Sequence, residues 1–337
     1  MSFNRLDPSD FVISTDAISS TLWSTNNPAL AAVFSSSAQV AGGTGNFYTN
    51  VYDTATTSSV QFAIAYGNAA GSGSLVYNLA VDGYSPTSTI FGQWQDLVIG
   101  DENTNFTFGA ITSSEFYALT FERARYKDAL FLGSLSLTLS GSGGQITLTD
   151  NSAYVTSVQF TEAGRVFQLI TGSTGVRASI TTPRNTADGY SANSGSYGWL
   201  LPDIGTILLN PKALSGSATA SATPNVSPNQ SLYSSLNLAL TAGSANDFYI
   251  NAQESVTSDF IFVRPRSTEF NYSENPSFIS GSTGEVLYPS FISNPQTYIT
   301  TIGLYNDTNQ LLAVAKLSRP LPKDFTKEAL IRVKLDF

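Results

Sequence analysis

Apolar and polar positions alternate with a period near two over most of the chain. The runs are short and bounded by Gly, Pro, Asn, Asp and Ser, the pattern of strands joined by tight turns. The clearest case is the end of the chain. Residues 298–305 read as a strand, Asn306-Asp-Thr-Asn309 as a polar turn and 310–317 as the returning strand of a hairpin, after which Pro320 and Pro322 break the pattern. Ile331, Val333, Leu335 and Phe337 then alternate with Arg332, Lys334 and Asp336, a closing strand with one apolar and one charged face. A terminal strand normally frays, so this apolar stripe needs a cover, either the subunit's own core or a neighbour.

The same pattern organises the rest. Residues 11–18 are strand-like and 29–34 form a short apolar segment; with Phe3, Phe11 and Trp23 needing cover, this stretch suits an N-terminal arm laid on another subunit or a first domain strand. Strand patterns follow at 47–52, 60–66, 75–79, 106–108 and 116–121, with 89–99 leading to the acidic turn 100–105. Glu122, Arg123, Arg125, Lys127 and Asp128 concentrate charge and predict local ion pairs. Leu135, Leu137 and Leu139 share a face, and Gly141-Ser-Gly-Gly144 turns them into 145–149, a second hairpin. Strands continue at 155–160 and 164–170, with an edge at 175–180.

Residues 183–198 read as loop, and 199–210, apolar on both sides of Pro202 and Gly205, as a segment crossing a core or interface. A Ser/Ala/Thr/Pro/Asn tract covers 215–229. Apolar residues at 232, 233, 236 and 240 predict a helix over 231–240, with Gly243 as its stop. Strands resume at 247–254 and 258–264, then 264–278 is aromatic and irregular, and Pro265 and Pro276 keep it out of a sheet interior. The expectation is a mainly β, multi-domain chain of β-sandwich or small-barrel architecture with few short helices. Its predicted parts are an N-terminal arm or first strands (1–39), a β domain (40–128), a second β domain with Pro/Gly/Ser-rich loops (129–230) and a C-terminal β-rich assembly region (231–337).

Composition narrows the function. Charged residues are 12% of the 337, so solubility rests on neutral polar groups, while 21 Phe and 16 Tyr favour strands. A net charge of −9 repels phosphate, which argues against nucleic-acid binding. Arg5 is the only basic residue before Arg123, whereas Lys316, Arg319, Lys323, Lys327, Arg332 and Lys334 gather near the end. The chain has no Cys and no His, which removes thiol catalysis, the usual base of a serine triad, and Cys- or His-based metal sites. A hydrolase would need carboxylates. Asp96, Asp101, Glu102 and Glu115 are the nearest set, and Asp101-Glu-Asn103 offers oxygens to calcium, but both read more simply as solvated turns. The expectation is no catalytic, cofactor or metal residue and no enzyme. Residues 1–7 lack the apolar region of a signal peptide and no apolar run nears about 20 residues, which predicts cytosolic synthesis without membrane insertion.

Residues 294–307, 311–320 and 323–337, with Glu269-Phe-Asn-Tyr-Ser-Glu-Asn-Pro-Ser-Phe-Ile279, Gly100-Asp-Glu-Asn-Thr-Asn105 and Glu122-Arg-Ala-Arg-Tyr-Lys127, resemble virion structural proteins of large contractile-tailed bacteriophages, especially those infecting cyanobacteria. The likeness spans most of the chain and brings no catalytic motif with it. It implies a virion component of the tail or baseplate, partnered by copies of itself and other virion structural proteins. A capsid or neck component is the alternative within that class. A carbohydrate-binding module that recognises a host-surface glycan through Trp94, Tyr84 or Trp199 is the alternative of another class. Candidate interface residues are Trp23, Phe270, Tyr272, Phe278, Ile331, Val333, Leu335 and Phe337.

Overall fold

The computed structural model describes residues 4–23, 27–30, 32–35, 48–54, 58–72, 86–178, 195, 197–214, 228–241, 247–272 and 277–336. The strand expected at 75–79, most of the loops at 183–198 and 215–229, Phe3, Tyr84, Gly243 and Phe337 lie outside them. The chain is mainly β as expected: among the described residues 47% lie in strands and 16% in helices, with a curled many-stranded half-barrel sheet. In chain order the strands are β1 (Phe11–Thr21), β2 (Ala32–Ser35), β3 (Tyr48–Tyr52), β4 (Val60–Asn68), β5 (Phe106–Phe108), β6 (Ile111–Ser113), β7 (Glu115–Phe121), β8 (Ala129–Leu130), β9 (Ser136–Gly141), β10 (Gly144–Asp150), β11 (Gln159–Thr161), β12 (Gly164–Ser173), β13 (Val176–Arg177), β14 (Gly198–Leu201), β15 (Thr206–Leu209), β16 (Phe248–Tyr249), β17 (Asn251–Val263), β18 (Thr297–Tyr305), β19 (Leu311–Lys323) and β20 (Ile331–Asp336). The helices are α1 (Pro86–Ile99), α2 (Pro228–Thr241) and the short α3 (Pro289–Ser293).

The chain divides into two compact units, Ile18–Glu254 and the pair of segments Met1–Ala17 with Ser255–Phe337. This replaces the division expected near residue 129. In the larger unit β4, β7, β15, β14, β12, β10 and β9 lie side by side in one sheet, so strands from both expected β domains share a single layer. The joint is β15 on β7, where Ile207 faces Leu119 and Leu209 faces Tyr117 across antiparallel strands. The charged segment between them is therefore a connection within one body. Arg123 lies over the nearby Tyr126 ring, but Arg125 donates Nε to the Val60 carbonyl at 2.9 Å and Lys127 forms its ion pair with Glu254 at 2.6 Å, far along the chain.

Alternation sends successive residues of these strands into two cores. Tyr117, Leu119 and Phe121 of β7, Leu200 of β14, and Ile207 and Leu209 of β15 enter one, which α2 joins through Leu232 and Leu236. Phe116 and Ala118, Trp199 and Leu201, and Leu208 enter the other, joined by Phe91 and Val98 of α1 and by Phe106 and Phe108 of β5. A sheet covered on both faces needs apolar residues at consecutive positions, which is why Trp199-Leu-Leu and Ile207-Leu-Leu carry no polar residue. The segment 199–210 is thus a core hairpin. Its turn uses Gly205 at φ 61°, where an added Cβ would lie 2.5 Å from the Tyr126 ring.

Four local readings change, one of them small: the strand expected at 155–160 is confined to β11, Gln159–Thr161. Residues 86–99, inside the expected β region, form α1, with Pro86 in its first turn and Gly100 closing it at φ 79° by donating its N–H to Gln95 and Asp96 carbonyls. The strands expected at 247–254 and 258–264 are largely one strand, β17, which pairs with β8 at Ala252 and Gln253 and with β20 from Ser258 to Val263. β19 does not stop at Pro320. It runs through both prolines to Lys323, because among the described strands β19 pairs only with β18 and so has a free edge that needs no donor, and the register jumps beside Pro320, from Ile299↔Leu321 to Thr301↔Lys316.

In the smaller unit the sheet order is β1-β17-β20, and β18 and β19 form a separate hairpin. Pairing Ile261 with Val333 and Val263 with Ile331 puts these residues on one face, where Ile302, Leu304, Ala315 and Leu317 of the hairpin meet them.

Candidate subunit interface

The expected interface residues separate into three groups. Trp23 is core: its indole donates to the Phe248 carbonyl at 3.1 Å and its ring meets Phe62, Phe121 and Phe248 at 6.1, 5.8 and 5.6 Å. Ile331, Val333 and Leu335 belong to the smaller unit's own core, with Val333 only 5% exposed, so the described part of the closing strand is covered in cis. Phe278 is half-buried against Phe291 and Tyr288, at 4.5 and 6.1 Å. Phe270 and Tyr272 are exposed.

The loop that presents those two is built, not slack. Lys323 is fully buried and its ammonium donates to the Ser267 carbonyl at 2.9 Å, Asn271 Oδ1 at 3.0 Å and the Asp324 carbonyl at 3.2 Å, which uses all three of its protons. Phe270 takes φ 54°, and its carbonyl accepts from Thr297 Oγ1 at 2.7 Å. Glu269 accepts from the Arg266 amide at 2.9 Å. These bonds clamp the loop on the start of β18 and the end of β19.

Larger apolar exposure lies elsewhere in the same unit. β1 buries neither face: Phe11, Val12 and Ile13 are all exposed, Ile13 at 72%. On the hairpin, alternation that turns Ile302, Leu304, Ala315 and Leu317 inward leaves Leu312 and Val314 outward, 69% and 58% exposed, beside an exposed Lys316. Tyr305 lies across Gly303, whose absent side chain leaves room for the ring. The signal for this second face was present in Leu311-Leu-Ala-Val-Ala-Lys-Leu317, apolar at consecutive positions although a two-stranded hairpin here has only one face against a core. The exposed face of α3 adds Ile292, next to the exposed Leu287 and Tyr288. These are among the large apolar side chains the smaller unit leaves uncovered.

Of the carboxylates considered for chemistry, Asp96 and Glu102 are exposed, whereas Asp101 and Glu115 are held by their neighbours. Asp101 accepts from Thr104 Oγ1 at 2.7 Å and the Asn103 amide at 2.9 Å, bonds that hold its carboxyl below the usual range. Glu115 accepts from the Tyr66 hydroxyl at 2.6 Å, and burial together with that carboxylate pushes the Tyr66 phenol upward. Among the described residues no group of three His, Cys, Asp or Glu is placed to hold a metal, and no helix is long and apolar enough to cross a membrane. Trp199 is 7% exposed and Trp94 is half-buried against Phe116, so neither ring forms an open platform for a sugar. Comparison with protein-family models, curated proteins and solved structures returns no significant match.

Proposed function

We propose that this chain is a structural component of a bacteriophage virion, in the tail or baseplate, acting through subunit packing and without catalysis. The observation that carries the reading is the uncovered apolar surface of the smaller unit, above all Leu312 and Val314 outside the hairpin and Phe11 to Ile13 on β1. Covering one such side chain contributes roughly 1.5 to 3 kcal/mol, so several together offset a large part of the cost of association. The likeness of the terminal segments to contractile-tail virion proteins selects the kind of assembly. The test is proteomics of purified particles from the phage that carries this gene, with antibody labelling to locate the chain. Stoichiometric copies at the tail end support the reading, labelling on the head or neck moves it within the virion, and absence from the particle overturns it.

A further inference from the structure

We propose that β1 is an arm that adds as a strand to the free edge of β19 in a second copy of this chain. The inference rests on the reading of the smaller unit as the place where subunits meet, and it names the partner and the contact. β1 is the end strand of its sheet, and β19 pairs only with β18, so among the described strands each presents one unpaired row of backbone donors and acceptors. Such edges recruit another strand unless something blunts them. On β19 the prolines at 320 and 322 blunt the last part, and the hairpin register shifts at Leu312 and between Lys316 and Leu321, so the regular part of the template offered to the eleven-residue β1 runs from Ala313 to Lys316.

Charge supplies the choice of occupant. Asp16 of β1, and Lys316 and Arg319 of β19, are exposed and form no ion pair among the described residues. Placing β1 antiparallel to β19 with Asp16 opposite Lys316 puts Ser14 opposite Ser318 and Ile18 opposite Val314, so acid meets base, polar meets polar and apolar meets apolar along one face. The contact is head-to-tail, since each copy offers one arm and one template, and such contacts close into a ring or extend as a helix.

The 337 residues include no cysteine, so engineered thiols report the contact without background. A Ser14→Cys variant is mixed with a Ser318→Cys variant and oxidised with diamide. The proposed register predicts a mixed disulfide dimer at least fivefold above that formed by Ser14→Cys with Gln310→Cys. Sedimentation of the uncross-linked protein measures association directly: Lys316→Asp and Asp16→Lys should each weaken it about tenfold, a loss of about 1.4 kcal/mol, and the two together should restore most of it. A wild-type chain that stays monomeric, a cross-link no stronger than the control, or a double variant no better than either single one overturns the arm. Presence in particles without the cross-link removes this contact and keeps the virion reading. The cross-link with absence from particles does the reverse.

Discussion

Trp23 illustrates how a single side chain is assigned. An aromatic residue in an N-terminal stretch fits an arm, but its indole hydrogen bond to Phe248 and its three ring contacts are those of a core residue. Trp23→Ala should therefore destabilise the larger unit by about 3 to 5 kcal/mol, measured by denaturant unfolding, and leave self-association of any folded protein unchanged. Asp324 makes a different prediction. Its carboxyl is held at about 2 by hydrogen bonds from the Thr326 side chain, from Lys327 and from the Thr326 amide. Since the unfolded value is about 3.9, the unfolded chain binds more protons between these limits. The stability this group adds is complete above about pH 4 and is lost as pH falls toward about 2. Thr326→Ala should move the Asp324 midpoint upward, toward the unfolded value, in a carboxyl NMR titration.

At the scale of the element, β20 is the strand most exposed to test. It pairs with β17 over six positions and puts Val333 against Ile261 and Ile302. Removing two buried methyl groups by Val333→Ala should cost about 2 kcal/mol, which in a unit of this size lowers its melting temperature by roughly 8 to 16 °C. Truncation after Arg332 should do more, because pairing at Val333 to Asp336 goes as well. A Val333→Ala protein that melts with the wild type would show that the stripe is not held in cis. β19 gives the contrasting case. Its inward residues are fastened to a core, whereas Leu312 and Val314 are free to be changed to polar residues at little cost to folding, usually within about 0.5 kcal/mol for exposed positions.

At the scale of the whole molecule, the two units have separate cores, one built on the large sheet and one on β17, β20 and the hairpin. Mutations with no shared partner add independently. Calorimetry should accordingly resolve two transitions, with Val333→Ala displacing one and Trp23→Ala the other. A single transition moved equally by both substitutions would show that the units unfold together.

The amino-acid pattern by itself determined the β class, the hairpin at 298–317, the hairpin across Gly141 to Gly144 and the helix around Leu232 and Leu236, because each depends on the periodicity of neighbouring residues. It also placed apolar residues on both sides of β19. Only the tertiary structure decided which side is covered, that β15 joins β7 so that the region on either side of residue 129 is one sheet, and that Trp23 faces inward. These outcomes depend on which distant strand lies alongside, and an alternating strand states that it has a buried face without stating what buries it. The proline-containing end of β19 follows the same rule: the residues alone argue for a break, and the free edge beside them removes the need for the missing donors.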